Sequence, residues 1–338
     1  MEKPFVSIVI PCRNEEKFIE KCLNSIFVQD YPKNRMEILV VNGISEDKTK
    51  QIVINISHKN PIVKLLENPK KITSAAFNIG IKKSKGNFII IMGAHSNYKN
   101  NYISKCIDTS VKNKADNVGG IWKIMATKNT IINKSIVFAS SSIFGAGNAY
   151  YRRGYLKKII EVDTVFGGCY RKKVFDKIGF FNENLVRSQD IELNIRLKKA
   201  NGKILLNPEI VAYYYPKSTL KEFFKHNFID GVWTICPIKI SNIPLKLRHY
   251  IPLFFVLSLL GSLLLSLFWI IFLYLFAFIS GIYLATNLYF SAKIAIQEKN
   301  IKYILLMPIT FACRHFGYGI GSLWGILTLW KIKKLSEI

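Results

Sequence analysis

None of the six cysteines, at positions 12, 22, 106, 169, 236 and 313, forms a Cys-x-x-Cys pair with another. That excludes a zinc ribbon and leaves no spacing that reads as a disulfide framework, so scattered reduced thiols are expected. The N-terminus lacks the long apolar core of a secretory signal, because its first apolar run, Phe5 to Ile10, contains Ser7 and ends at Pro11. The head of the chain is therefore expected in the cytoplasm. Acid is scarce, with 22 Asp and Glu against 48 Lys and Arg in 338 residues and a net charge of +26. Such an excess suits phosphorylated substrates, anionic lipid or nucleic acid. Nucleic acid is set aside because no element pairs basic residues with stacking aromatics in a known arrangement. No internal repeat is present, and no low-complexity segment outside the apolar C-terminal region.

Charge disappears altogether from Tyr250 to Ala292. As one helix this run would reach about 65 Å, twice a hydrocarbon core of about 30 Å, so two spans over 250–270 and 272–292 are expected. A third apolar stretch, 303–330, contains Pro308, Arg314 and His315 and is expected to be re-entrant or interfacial. Lys246 and Arg248 precede the run, Lys293, Lys299 and Lys302 follow it, and Lys331, Lys333 and Lys334 lie in the tail. The positive-inside rule puts all these flanks in the cytoplasm. The expected organisation is a cytosolic domain over 1–235, a basic juxtamembrane linker over 236–249, two transmembrane helices over 250–292, and a cytoplasmic loop, apolar segment and basic tail over 293–338.

Before the run, β-rich apolar segments alternate with helical patterns. Strands are expected over 5–10, 36–41, 62–66 and 87–92, and helices over 15–27, 46–58, 73–84 and 100–113. This alternation predicts an α/β fold, a mostly parallel central sheet with helices on both faces. Ligands sit beyond the carboxyl ends of such strands, which draws attention to three loops: Pro11-Cys12-Arg13-Asn14-Glu15, Asn42-Gly43-Ile44-Ser45-Glu46-Asp47 and Gly93-Ala94-His95. A further helix is expected to begin near Gln189 and stop at Asn201-Gly202, with Lys198 and Lys199 in its last turn.

The opening Val6-Ser7-Ile8-Val9-Ile10-Pro11-Cys12-Arg13-Asn14-Glu15, the later Val40-Val41-Asn42-Gly43-Ile44-Ser45-Glu46-Asp47-Lys48-Thr49, and Asn68-Pro69 with Ala75-Ala76-Phe77-Asn78-Ile79-Gly80 resemble, in order, glycosyltransferase family 2. The resemblance covers roughly residues 4–235 and is nearest to the membrane-anchored, succinoglycan-type exopolysaccharide branch. It implies the GT-A nucleotide-diphospho-sugar transferase fold. It also implies a nucleotide-sugar site at Pro11, Arg13, Asn14, Glu15, Asn42, Asp47, Lys71, Asn78, Gly93 and Ala94. Where the family carries an Asp-x-Asp motif for Mg²⁺ or Mn²⁺, this chain reads Met92-Gly93-Ala94-His95. His95 is the candidate metal ligand. Gly93, in place of an expected Asp, leaves open a metal-independent site in which Arg and Lys stabilise the leaving diphosphate.

Ser188-Gln189-Asp190-Ile191-Glu192 resembles the family's acidic acceptor-site motif. That assigns Asp190 as the general base of an inverting transfer, with Gln189 and Glu192 in support. A helix N-terminus favours its ionised form. His226 and Trp233 fall where the related branch has Gln…Gly-Arg-Trp, and are expected at the acceptor, with Trp233 either stacking on an acceptor sugar or marking the membrane interface. Val232 in the Arg position, and too few spans for a wide channel, argue against a processive synthase. The expected activity is transfer of a sugar from a nucleotide-diphosphate donor to a lipid-linked glycan at the membrane. Transfer to a polyprenyl monophosphate, and a membrane-bound nucleotide-sugar-binding module with decayed catalysis, are the alternatives.

Overall fold

The structure is a computed structural model in which residues 2–147, 149–153, 156–241 and 245–328 are described. The chain begins with β1 (Val6–Cys12), α1 (Ile19–Phe27), β2 (Met36–Asn42), α2 (Thr49–Lys59), β3 (Val63–Glu67), α3 (Thr73–Lys83), β4 (Phe88–Ile91), β5 (Ser96–Tyr98) and α4 (Tyr102–Asn113). It continues with β6 (Asn117–Ile124), α5 (Ile131–Ser141), α6 (Ile143–Ala146), α7 (Tyr150–Arg153), β7 (Ile160–Glu161), β8 (Cys169–Arg171), α8 (Lys173–Ile178), α9 (Gln189–Lys199) and β9 (Ile204–Tyr214). The remaining helices are α10 (Leu220–Ser241), α11 (Ile251–Leu265), α12 (Ile271–Gln297) and α13 (Lys302–Thr328). These elements form two compact units, residues 1–123 with 150–214, and residues 124–149 with 215–338.

The first unit is built on one sheet with strand order β3-β2-β1-β4-β8-β6-β9-β5, and β7 on β9. The first four strands are parallel, with Val6 opposite Met36 and Phe88. The ladders of β8 with β4 and β6, and of β9 with β5 and β7, are antiparallel. β1 and β2 are near-continuous apolar runs buried along their length, as strands covered on both faces must be. Val9, Leu39, Val41, Ile89 and Ile91 meet Ala76, Phe77 and Ile81 of α3 and Leu193 and Leu197 of α9 in one core. Each large apolar side chain so buried contributes about 1.5–3 kcal/mol over its exposed state. Glu37, buried in β2, is held by the Ser7 hydroxyl, Lys64 and the Lys85 N–H, each at 2.7 Å. Burial opposes its charge, but these three donors keep its carboxyl below the usual range.

In the second unit α10 and α13 are in backbone contact. A Cβ on Gly321 would stand 2.0 Å from the Phe228 carbonyl oxygen, so only glycine lets the helices approach this closely. A core of Ile136, Ala139, Phe223, Ile294, Met307 and Phe311 joins α5 and α10 to α12 and α13. Residues 124–149 and 215–235 of the expected domain over 1–235 fall in this second unit, where α5 and α10 pack against the C-terminal helices. Residues 236–241 of the expected linker over 236–249 continue α10.

The two expected spans become helices with different limits, α11 over fifteen residues and α12 over twenty-seven, with the break at 266–270. Among the described residues α12 is the one helix long and apolar enough to cross a membrane. Leu267 and Phe268, before it, are 78% and 76% exposed. Pro308, Arg314 and His315 do not interrupt α13, which runs unbroken. Arg314 donates to the Gly145 carbonyl and to Asn227, His315 pairs with the Phe144 carbonyl and the Tyr283 hydroxyl, and the Asn287 amide donates to the Pro308 carbonyl. Residues 329 and 330 of the expected apolar stretch, and the tail with Lys331, Lys333 and Lys334, lie outside the described residues.

Candidate active site

The carboxyl ends of β1, β2, β3 and β4 and the start of α9 surround a cleft of about 250 Å³ in the first unit. Its walls include Pro11, Arg13, Glu15, Lys71, Gly93, Ala94, His95, Gln189 and Asp190. Nine of the residues singled out in the sequence thus come together from four separate segments.

The first two loops are zipped to each other. The Asn14 N–H donates to the Ser45 hydroxyl at 3.0 Å, and the Asn14 side-chain oxygen accepts from the Glu46 N–H at 2.9 Å. The Glu15 N–H donates to the Thr49 hydroxyl at 2.7 Å, and the Glu16 N–H to Asp47 at 3.1 Å. Asn14 itself is left-handed, with φ 56°, a cost tolerated where neighbouring bonds over-determine the backbone. This stitching holds Glu15 in the cleft wall, its carboxylate 3.4 Å from the His95 ring nitrogen Nδ1. His95 also packs edge-on against Tyr214.

Asn14, Asn42, Asp47 and Asn78, expected at the nucleotide, are not among the residues lining the cleft. The Asn42 oxygen accepts from the Ser45 N–H and hydroxyl, shaping the turn. Asp47 accepts from the Thr49 N–H and hydroxyl as well as from Glu16. Asn78 exchanges hydrogen bonds with the Phe181 backbone and donates to Glu183. These short polar side chains are consumed by local backbone groups, the use to which turns put them.

Burial works against the Asp47 charge, but the Thr49 and Glu16 donors outweigh it and hold its carboxyl below the ordinary 3.8. A depressed folded value stabilises above the ordinary value and is lost as pH falls through the depressed one. Asp47→Ala is therefore expected to cost about 1–3 kcal/mol in urea unfolding at pH 7. The gap to the parent protein should narrow below pH 3.8; a constant gap would contradict the assignment.

Asp190 lies in the first turn of α9, after Ser188 in a left-handed conformation with φ 61°. Its oxygen accepts the Ile191 N–H at 2.9 Å. Two anchors fix the helix. Buried Asn194 accepts from Asn117 at 2.8 Å and donates to the Thr164 hydroxyl at 3.0 Å. Buried Glu192 takes Arg196 in a two-point pair at 2.8 and 2.9 Å, and Arg196 donates onward to the Ile178 and Phe180 carbonyls. Glu192 is thus spent on Arg196 and is not among the residues lining the cleft. Gln189 stays in the wall, and its buried side-chain oxygen has no hydrogen-bond partner among the described residues.

His226 and Trp233 belong to the second unit, on α10. His226 pairs with Asp230 at 3.3 Å, and Trp233 is buried at 7% exposure.

The cleft also contains residues that the motifs did not mark as ligands, among them Cys12, Asn68, Thr73, Phe77, Phe166 and Phe181. Asn68 belongs to a motif quoted above for its family resemblance, and nothing in its local pattern assigned it a contact. Gly167 has φ 69°, and a Cβ there would meet the Ile91 carbonyl oxygen at 2.7 Å, which fixes glycine at this close approach to β4. Burial pushes the Cys12 thiol up to about 12, and the Glu15, Asp47 and Glu67 carboxylates add to the effect. Iodoacetamide at pH 8 is expected to spare Cys12 in the native protein and to label it in urea; rapid native labelling would show an ionised, accessible thiol.

Glu15 and His95 supply two donors. Among the described residues no three His, Cys, Asp or Glu side chains form a metal-binding group. Two donors fit a hard divalent ion whose remaining positions are filled by substrate phosphate and water, the usual manner of Mg²⁺ at nucleotide sites.

A sequence profile for Glycosyl transferase family 2 matches residues 7–179. The chain is 33% identical over 235 residues to the dolichyl N-acetyl-alpha-D-glucosaminyl phosphate 3-beta-D-2,3-diacetamido-2,3-dideoxy-beta-D-glucuronosyltransferase of Methanococcus voltae, covering 67% of this chain and 72% of that relative. It is 26% identical over 253 residues to the succinoglycan biosynthesis protein ExoA of Rhizobium meliloti (strain 1021), covering 70% and 75%. A mannosyltransferase from Pyrobaculum calidifontis, solved in complex with GDP-Man and Mn²⁺, shares the fold with a TM-score of 0.59 and 15% identity over 96% of this chain and 88% of that one.

Proposed function

The chain belongs to glycosyl transferase family 2, and from that premise we propose that it is an inverting, non-processive glycosyltransferase. It moves a sugar from a nucleotide-diphosphate donor to a glycan carried on a polyprenyl phosphate, in the synthesis of a cell-surface polysaccharide or glycoconjugate. The observation that carries this reading is the single cleft that brings Asp190 together with Glu15, His95, Arg13 and Lys71.

Asp190 takes the proton from the acceptor hydroxyl as its oxygen attacks the anomeric carbon. The bond from that carbon to the diphosphate oxygen breaks on the opposite face, so the anomeric configuration inverts. The electron pair leaves with the nucleoside diphosphate, whose charge Arg13 and Lys71 face. A divalent ion, when bound by His95 and Glu15, would add charge neutralisation at the diphosphate. Gln189, beside Asp190 in sequence, offers its oxygen to a sugar hydroxyl or amide N–H.

The lipid-linked acceptor is supported by the name of the Methanococcus voltae relative, which specifies a dolichyl-borne glucosaminyl phosphate, and by the apolar α12. We place α12 across the membrane, with α11 paired to it, and the cleft-bearing unit in the cytoplasm, because Lys246, Arg248, Lys293, Lys299 and Lys302 flank the uncharged run. The test is a donor screen on detergent-purified protein with UDP-, GDP- and dTDP-sugars and membrane lipid extract. Nucleotide release that depends on the extract is expected. Nucleotide binding without release from any donor would instead identify a binding module.

A further inference from the structure

Phe166 is 36% exposed and stands in the cleft wall with Gln189 and Asp190. A lone exposed phenylalanine on a protein surface needs no explanation, but this one is clamped. Before it, Val165 is buried in the core of the first unit. After it, Gly167 lies against the Ile91 carbonyl. Its ring packs edge-on against Trp122, with centroids 3.9 Å apart. Trp122 is buried and wedged in turn. It stacks on Tyr214 at 4.5 Å, meets Tyr151 edge-on at 5.5 Å, and carries the Arg152 guanidinium 5.2 Å from its ring centre. A ligand that covers the rest of the Phe166 ring therefore gains burial without having to order it.

Two links set Phe166 beside the reacting centre. The Gly168 carbonyl accepts the Ile91 N–H at 3.0 Å as the chain enters β8, antiparallel to β4. The loop that carries Phe166 thus passes the carboxyl end of β4, where His95 also lies. Asn194, one turn along α9 from Asp190, donates to the Thr164 hydroxyl at 3.0 Å and to the Val165 carbonyl at 3.4 Å. The segment bearing Phe166 is therefore tied to the helix bearing Asp190. Arg13 and Lys71 reach the cleft from the ends of β1 and β3, on one side of β4, whereas Phe166 comes from the β8 side. A base takes a proton only within hydrogen-bond reach, so the acceptor hydroxyl belongs at this wall.

A pyranose carries faces of C–H groups, polarised by the neighbouring oxygens, that suit the negative face of an aromatic ring. We propose that Phe166 is an acceptor-binding residue on which a pyranose of the acceptor glycan rests, with its hydroxyl presented to Asp190. This rests on the glycosyltransferase reading and names the chemical group that the acceptor side of its cleft takes.

The test titrates membrane lipid extract into the full-length protein in detergent, with labelled UDP-, GDP- and dTDP-sugars, and reads label in the lipid phase. Phe166→Ala and Phe166→Leu are expected to raise the half-saturating extract concentration about tenfold or more. Nucleoside-diphosphate affinity should stay within about twofold, and Phe166→Tyr should keep the parent value. A half-saturation point does not depend on the folded fraction, so partial unfolding of a variant does not mimic the shift. Undecaprenyl monophosphate, which has the lipid chain and phosphate without the sugar, should compete with the extract equally in the parent protein and in Phe166→Leu. A half-saturation point unchanged in Phe166→Leu, an equal loss of nucleotide affinity, or competition weakened in the variant would each overturn the proposal while leaving the enzyme reading intact. No labelled lipid from the parent protein would overturn both.

Discussion

Asp190→Asn is expected to lower the turnover number about 10³-fold while leaving nucleoside-diphosphate affinity within about twofold, since a positioned general base contributes 10²–10⁴ in rate. The substitution is nearly isosteric and keeps an oxygen for the Ile191 N–H, so α9 should retain its start. Its anchors, Asn194 and the Glu192–Arg196 pair, lie further along the helix and are untouched. A loss of binding equal to the loss of turnover would move Asp190 from proton transfer to substrate holding. Full activity would point to an acceptor that is already ionised, such as a polyprenyl monophosphate, which needs no base.

The second large effect concerns the metal. EDTA is expected to suppress nucleotide release at least about 10²-fold, with Mn²⁺ restoring it, and His95→Ala to raise the Mn²⁺ concentration for half-maximal activity about tenfold or more. Metal affinity should be weak without nucleotide, because the protein itself offers Glu15 and His95 only as a pair. Gly93→Asp provides the converse test. A Cβ at Gly93 would lie 3.6 Å from the Ser96 hydroxyl oxygen and 4.0 Å from that of Tyr98, ordinary contact distances. The added carboxylate is expected to lower the Mn²⁺ requirement. Activity indifferent to EDTA, to His95→Ala and to Gly93→Asp alike would assign diphosphate stabilisation to Arg13 and Lys71.

The parallel half of the sheet, β1 to β4, was legible because its strands are apolar runs whose neighbours are amphipathic helices. β1 to β4 appear where the pattern put them, and α9 starts at Gln189 as expected. The cleft lining was legible at Arg13, Glu15, Lys71, His95 and Asp190, although Asp190 also accepts the backbone N–H of Ile191. Asn14, Asn42, Asp47 and Asn78 sit in the same motifs but spend their polar groups on turns and loop-to-loop bonds. Spacing alone cannot separate those uses. Phe166 was hidden for another reason, since a ring clamped by Trp122 is visible only once the sheet has brought β6 beside β8. The affiliation of 124–149 with the C-terminal helices was equally hidden, because an apolar face in sequence does not say which partner covers it. α13 continues through Pro308, Arg314 and His315 because tertiary partners meet groups that the sequence presents as breaks.

The most direct measurement is transfer of labelled sugar from a nucleotide-diphosphate donor into the lipid phase of a membrane extract, by wild-type protein and by Asp190→Asn side by side. The expected result is label in the lipid fraction, with inverted anomeric configuration, from the wild-type protein and about 10³-fold less from the variant. Labelled lipid of retained configuration, or equal label from both proteins, would contradict the proposed chemistry.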